Sequence, residues 1–398
     1  MSCSTKIGCV LALALTATMP GTAAAEPTWQ LDTKHLSVDS TELSAVDVVA
    51  SQTWVGGTKV NAQTGRIEPV VGLWDGTVLD RKPNPDTDPA LDVRLSDLAV
   101  VGDDVLSVGD TTSPTGVTQP VISRYSRTQP EDSAVLPGPT VDAYGTLNAI
   151  TPGATDRALV VGVTGPNPAS TRTLILEQDQ SGWHRIPSAS PGTGTNQLNA
   201  VTAAHGRWAA GHYTWQDEPG RAHPLLLHDT GSGAGWTQVS VPDPGLGFTE
   251  LTGIAVDGNG DVFVAGWTGP TNGDPEDRTA VAMRWNQHKW EVLNLESDGV
   301  TQFNDVTVAP DGRVLFAGYA TVDSVEVANL EEWVGRQDLI PVAIVLPTPD
   351  IGVFSYPATG INAIDAGPAG AAPCAVGWIR PPAQSLTGAT LSWAPIEY

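Results

Sequence analysis

An all-β fold of seven four-stranded blades, closed into a ring by the chain's own N-terminal strand, is predicted by three observations. A four-residue anchor recurs seven times at a steady period. Each copy is followed 13 to 16 residues later by a short apolar run ending in glycine. The last copy stops one strand short, and a matching strand stands near the N-terminus. Repeats of about fifty residues that each read as several short strands make a β-propeller.

The anchor is an apolar residue, a small polar one, a small one or aspartate, then a branched apolar one. It appears as Leu43-Ser44-Ala45-Val46, Leu95-Ser96-Asp97-Leu98, Leu147-Asn148-Ala149-Ile150, Leu198-Asn199-Ala200-Val201, Leu251-Thr252-Gly253-Ile254, Phe303-Asn304-Asp305-Val306 and Ile361-Asn362-Ala363-Ile364, at spacings of 52, 52, 51, 53, 52 and 58. The glycines are Gly57, Gly109, Gly162, Gly211, Gly266, Gly318 and Gly377. Turn sequences such as Asp257-Gly258-Asn259-Gly260 lie between anchor and run, so the pair reads as a β-hairpin. Third strands are expected at Pro69 to Trp74, Pro120 to Arg124, Pro224 to His228 and Pro341 to Leu346. Trp-containing outer strands are expected at Trp183 to Ile186, Trp236 to Val239 and Trp290 to Leu293. Thr28 to Leu31 matches that outer-strand pattern and is predicted to complete the seventh blade and remove its exposed edge. The long sixth spacing holds Asp323 and Glu326 as a capping box, Val327, Leu330 and Trp333 on one helical face, and Gly335 as a stop, which predicts a single helix there.

Lys6, the apolar run Ile7 to Leu15 and the small residues Ala23-Ala24-Ala25 have the order of a secretory signal, so residues 1–25 are expected to be removed and 26–398 to form the propeller. A secreted, monomeric protein follows, with Cys374 as its one cysteine and no internal disulfide. Formal charge is −24, and losing Lys6 makes it more negative, which argues against nucleic acid or an anionic membrane surface as partner. No stretch reaches 18 uninterrupted apolar residues, so no membrane insertion is expected.

Gly253 to Gly266, and more loosely Asp305 to Gly318, resemble the repeat of bacterial secreted β-propeller proteins that reads GIAVD, a Gly/Asn turn, then VYVAG. The resemblance implies the fold and no single activity.

The residues after the seven glycines are Thr58, Asp110, Val163, His212, Trp267, Tyr319 and Trp378, so four consecutive blades place a ring on one rim. With Tyr213, Trp215 and Arg380 they form the candidate ligand-binding set, able either to grip sugars or peptide side chains or to pack between blades. His212, His223, Asp217 and Glu218 lack the spacing of a metal motif, and Asp257, Asn259 and Asp261 lack the glycine and glutamate of a calcium loop. No metal or cofactor is expected. No nucleophile elbow, HExxH or phosphate loop is present. Asp179 to Trp183 is similar to the Asp-box turn of sialidases, which is structural there. The expectation is a non-enzymatic binding or scaffold protein for a glycan, cell-wall component, peptide or another secreted protein. The alternative is a hydrolase or lyase using His212 with Asp110 or Asp365 at the channel mouth.

Overall fold

In the computed structural model the described residues are 28–32 and 41–394, less short loop stretches of which 271–276, 346–357 and 381–386 are the longest. The expected signal segment lies outside them. β1 (Thr28–Asp32) stands apart from the strands that follow it in sequence. Then come antiparallel arrays, each opened by an anchor: β2 (Thr41–Val49), β3 (Gln52–Val60), β4 (Ile67–Trp74) and β5 (Leu79–Arg81), followed by β6 (Asp92–Val101), β7 (Asp104–Thr112), β8 (Thr118–Ser126) and β9 (Ser133–Leu136). The next are β10 (Tyr144–Pro152), β11 (Ala158–Asn167), β12 (Ser170–Asp179) and β13 (Gly182–Arg185), then β14 (Asn196–Thr202), β15 (Arg207–Thr214), β16 (Ala222–Asp229) and β17 (Thr237–Val239). β18 (Phe248–Val256), β19 (Val262–Gly269), β20 (Thr279–Trp285) and β21 (Trp290–Val292) form another, joined to the preceding array by a single parallel bridge, Ala222 opposite Phe248. A short link strand, β22 (Asn294–Leu295), precedes β23 (Val300–Val308), β24 (Val314–Val322), β25 (Val325–Trp333) and β26 (Asp338–Pro341). A second link, β27 (Ile344–Val345), precedes β28 (Ala358–Asp365), β29 (Cys374–Arg380) and β30 (Thr387–Ala394).

β30 pairs antiparallel with β1, Ala394 opposite Thr28 and Thr390 opposite Asp32, so the N-terminal strand does add to the last array. Seven apolar clusters lie between neighbouring arrays. Ala45, Trp54 and Val71 pack on Leu95, Leu98 and Tyr125, for example. The cluster of Leu43, Val46, Val55 and Trp74 with Ala363 and Val376 joins the first array to the last. Each fully buried side chain of this size contributes roughly 1.5–3 kcal/mol.

The segment predicted as a helix is strand β25. It pairs residue for residue with β24, from Val322 opposite Val325 to Val314 opposite Trp333, and among the described residues there is no α-helix. The spacing of Val327, Leu330 and Trp333 fits a helix, but β24 needs a partner at once, and Val325 and Val327 favour extended backbone. Pro341 accordingly ends the outer strand β26 rather than opening a third strand, which corrects that expectation too.

Every array carries a bulge at the polar residue of its anchor, shown by a register shift such as Leu43/Ala45 or Leu251/Gly253. The bulge explains the glycines. A Cβ on Gly266 would lie 2.0 Å from the Glu250 carbonyl oxygen, and one on Gly377 1.9 Å from that of Gly360, with the other five equally crowded by backbone. Gly266→Ala is therefore expected to destabilise by about 3 kcal/mol or more. Gly258→Ala in the same hairpin, where nothing lies within 4 Å, should stay within about 0.5 kcal/mol. Urea melts of the two variants check this.

Candidate functional site

Along the inner strands β2, β6, β10, β14, β18, β23 and β28 run three layers of largely polar residues, the carboxylates of one of them on β2, β6, β23 and β28. In the middle layer the bulge residues reach to the next array. Ser44 Oγ donates to Leu95 O (2.9 Å), Asn148 Nδ2 to Leu198 O (2.8 Å) and Asn199 Nδ2 to Leu251 O (2.9 Å). Thr252 Oγ1 donates to Phe303 O (2.7 Å), Asn304 Nδ2 to Ile361 O (2.7 Å) and Asn362 Nδ2 to Leu43 O (2.9 Å). The last of these links β28 to β2.

The inner layer is carboxylate. Asp305 Oδ2 accepts the Ile364 N–H (2.9 Å), Asp365 Oδ2 that of Val48 (2.6 Å), Asp47 Oδ2 that of Val100, and Asp97 Oδ2 that of Ile150 (2.8 Å). These staples run in one direction from the β23 array through β28, β2 and β6 to β10. Burial pushes Asp47 and Asp305 up to about 7 and Asp97 to about 8, with mutual repulsion adding to it. Burial raises Asp365 as well, against the backbone N–H groups it accepts.

The third layer lies one residue before the anchors. Its members are Glu42, Arg94, Thr146, Gln197, Glu250, Gln302 and Gly360, and each stands opposite the residue that follows a hairpin glycine: Thr58, Asp110, Val163, His212, Trp267, Tyr319 and Trp378. The predicted ring residues therefore do occupy one equivalent register. Their rings are not an open platform, however: His212, Trp267, Tyr319 and Trp378 are only 6 to 8% exposed. Cross-strand pairing aims them at the inner strand and the next array. Trp378 lies over Gly360, whose absent Cβ leaves the space. Trp267 stacks on Phe248 (5.1 Å, 10° between planes), and His212 tilts against Phe248 (5.3 Å, 54°).

Around these rings lies a connected polar group. Glu250 accepts from Asn199 Nδ2 (2.8 Å), and His212 Nδ1 stands 3.5 Å from Glu250 Oε1, longer than a hydrogen bond. Burial raises the Glu250 carboxyl, but His212, Asn199 and Arg278 together hold it below the usual glutamate range. The Arg278 guanidinium lies 4.0 Å over the Trp267 ring and donates to Gln302 Oε1 (2.6 Å), which also accepts from the Tyr319 hydroxyl (3.2 Å). Phe248, Glu250, Arg278 and Gln302 escaped sequence reasoning. The signal for two of them was available, because the residue before each anchor ranges over five residue types while the anchor keeps its pattern.

Tyr213, Trp215 and His223 form a separate half-buried group on the opposite face of β15, Tyr213 stacked on His223 (5.1 Å) and edge-on to Trp215 (5.9 Å). His223 bridges Glu218 (2.9 Å) and Asp243 (3.0 Å), not His212. Arg380 ends β29, and its side chain lies outside the described residues. The acid beside His212 is Glu250, where Asp110 or Asp365 was expected. Asp110 contacts Thr112 on β7, and Asp365 is held by Val48 and Gly367. Among the described residues no three His, Cys, Asp or Glu side chains gather as a metal group. Asp257 Oδ1 accepts the Asn259 and Asp261 N–H groups, closing the turn that resembled a calcium loop. Cys374 is buried and its thiol is pushed up to about 12.

The chain matches no protein-family model, and no curated protein resembles it in sequence. Solved structures do resemble it. One described as "YCF48 bound to D1 peptide" has a TM-score of 0.54 at 14% identity, over 94% of this chain and 98% of that one. The β-propeller domain of the Trilobed protease from Pyrococcus furiosus has 0.53 at 11%, over 92% and 96%. Polysaccharide lyase Uly1 has 0.51 at 10%, over 95% and 91%. At such identities the likeness is one of fold, and the fold is that of a β-propeller repeat protein.

Proposed function

We propose that residues 26–398 form a secreted, monomeric seven-bladed propeller, closed by β1, that binds a peptide at the mouth formed by the outermost inner-strand layer and catalyses nothing. Seven anchors, seven inter-array clusters and the bonds from β28 back to β2 support the closed ring. The observation that carries the binding reading is the contrast between adjacent layers. The bulge layer is chemically uniform, Ser, Thr or Asn in every array, as a structural bond requires. The layer beside it is Glu42, Arg94, Thr146, Gln197, Glu250, Gln302 and Gly360, which runs through five residue types of both charges and none. Individual chemistry at a repeated position suits recognition of an irregular partner.

A peptide fits this mouth better than a neutral glycan. Sugar faces need exposed rings to stack on, and these rings are covered, while amide and charged groups can answer a peptide's donors and acceptors. A bound peptide is also what one solved relative in fold carries. The enzyme alternative rests on the approach of His212 to Glu250, with His212 packed against Phe248 and Glu250 opposite Trp267 in register.

The test is a binding panel of peptides, glycans and cell-wall fragments against the mature protein and Arg94→Ala, whose side chain is exposed and whose loss should leave the melting temperature unchanged. Peptide hits weakened about tenfold by the variant are expected. Peptide binding indifferent to Arg94, Glu42 and Gln197 alike would move the site elsewhere, and turnover of any hit would revive the enzyme.

A further inference from the structure

We infer that Arg278 is the anchor for a carboxylate of the bound peptide, either an acidic side chain or the C-terminus. The inference rests on the peptide-binding reading of this mouth and adds the chemical class of the group recognised.

Arg278 is fixed in place. Its guanidinium carbon stands 4.0 Å over the Trp267 ring, Trp267 stacks on Phe248, and Phe248 touches His212. Its Nη1 is oriented by Gln302, and Gln302 is itself held from the other side, donating through Nε2 to Asn304. The Tyr319 hydroxyl stands beside it on the same Gln302 oxygen. A side chain with this many rotatable bonds normally loses much freedom on binding, and here that loss has already occurred in folding.

The position also lacks what other arginines of this acidic chain have. Arg124, Arg207, Arg221, Arg284 and Arg313 each pair with a carboxylate. Among the described residues none lies within ion-pair distance of Arg278, whose guanidinium meets amide, hydroxyl and ring instead. Its nearest strong influence, Glu250, is already occupied by Asn199 and faces His212. A half-buried, oriented guanidinium with neutral partners can accept a carboxylate in a charge-assisted, two-point bond.

A double-mutant cycle decides the matter. The mature protein and Arg278→Gln are titrated with acidic peptides and with their neutralised forms, Asp and Glu replaced by Asn and Gln and the C-terminus amidated. Neutralisation should weaken binding to the natural protein about 10- to 100-fold and leave Arg278→Gln nearly indifferent. An equal penalty in both proteins overturns the inference while the peptide reading survives. Should Arg278→Gln fail to fold, Arg278→Lys closes the same cycle, with loss of the two-point bond expected to show as a weaker preference for the acidic forms. If the natural protein takes no peptide, or takes polygalacturonate in its place, this inference and the peptide reading both fall.

Discussion

Raising the pH from 5 to 8 should lower the melting temperature of the protein by about 5–10 °C, and the central aspartates should account for most of the fall. In an unfolded chain their carboxyls ionise near pH 4. In the folded chain burial, and then repulsion among them, carries Asp47 and Asp305 to about 7 and Asp97 to about 8, with Asp365 raised as well. The folded state thus holds protons that the unfolded state has released. Stability is fully present below pH 4 on this account and is lost progressively until about pH 8. Arg127 draws Asp47 the other way, and the backbone N–H groups of the staples favour the ionised form, but burial outweighs both. Glu250, Glu68 and Asp311, whose carboxyls are lowered, act in the opposite sense below about pH 4.5 and so outside this interval. His228, lowered by burial, opposes the aspartates within it, one group against four. Replacing Asp97 and Asp305 together by Asn removes two of the four titrations and retains an acceptor for the next array. The slope of melting temperature against pH should flatten by about half, whatever the absolute stability of the variant. An unchanged slope would place the proton uptake in other groups.

Asp97 and Asp305 stood in plain view inside two anchors, and their role was still not legible. A carboxylate among apolar residues signals something in the sequence, but only the neighbouring inner strand shows that it accepts an N–H from the next array. The anchors and glycines were legible for a steric reason. A bulge opposite a strand with no room for a Cβ restricts residue type at both places in every repeat, so the constraint is written seven times. Segment 323–335 misled because three apolar residues at a spacing of three satisfy a helix, whereas the choice of strand was made by the unpaired edge of β24. The rim rings lie between these cases. Their register follows from the hairpin glycines, but whether a ring faces solvent depends on what the neighbouring inner strand places against it. Phe248 against Trp267 and the bare backbone of Gly360 beneath Trp378 are what cover them.

Deleting residues 28–32 should lower the melting temperature by about 10 °C or more and broaden the transition. In the observed order β27–β1–β30–β29–β28, β1 is an interior strand, pairing parallel with β27 on one side and antiparallel with β30 on the other. Without it β30 becomes a bare edge, and the link carrying Ile344 and Val345 loses the strand it lies on. Arrays that meet only their neighbours then fray from the open end, since each buries its faces only against the next. The geometry supplies a control against mere loss of sequence. Ala394 stands opposite Thr28, so β1 runs back along β30 from the place where β30 finishes. Moving Thr28–Asp32 to follow Ala394 directly, with a two-residue Asn-Gly turn in place of residues 395–398, would rebuild the pair as an ordinary hairpin. If closure by this strand is what holds the ring, the transplanted strand should restore most of the lost melting temperature even though the connection from β1 to β2 is cut. If that connection matters more than the pairing, the deletion and the transplant will melt together.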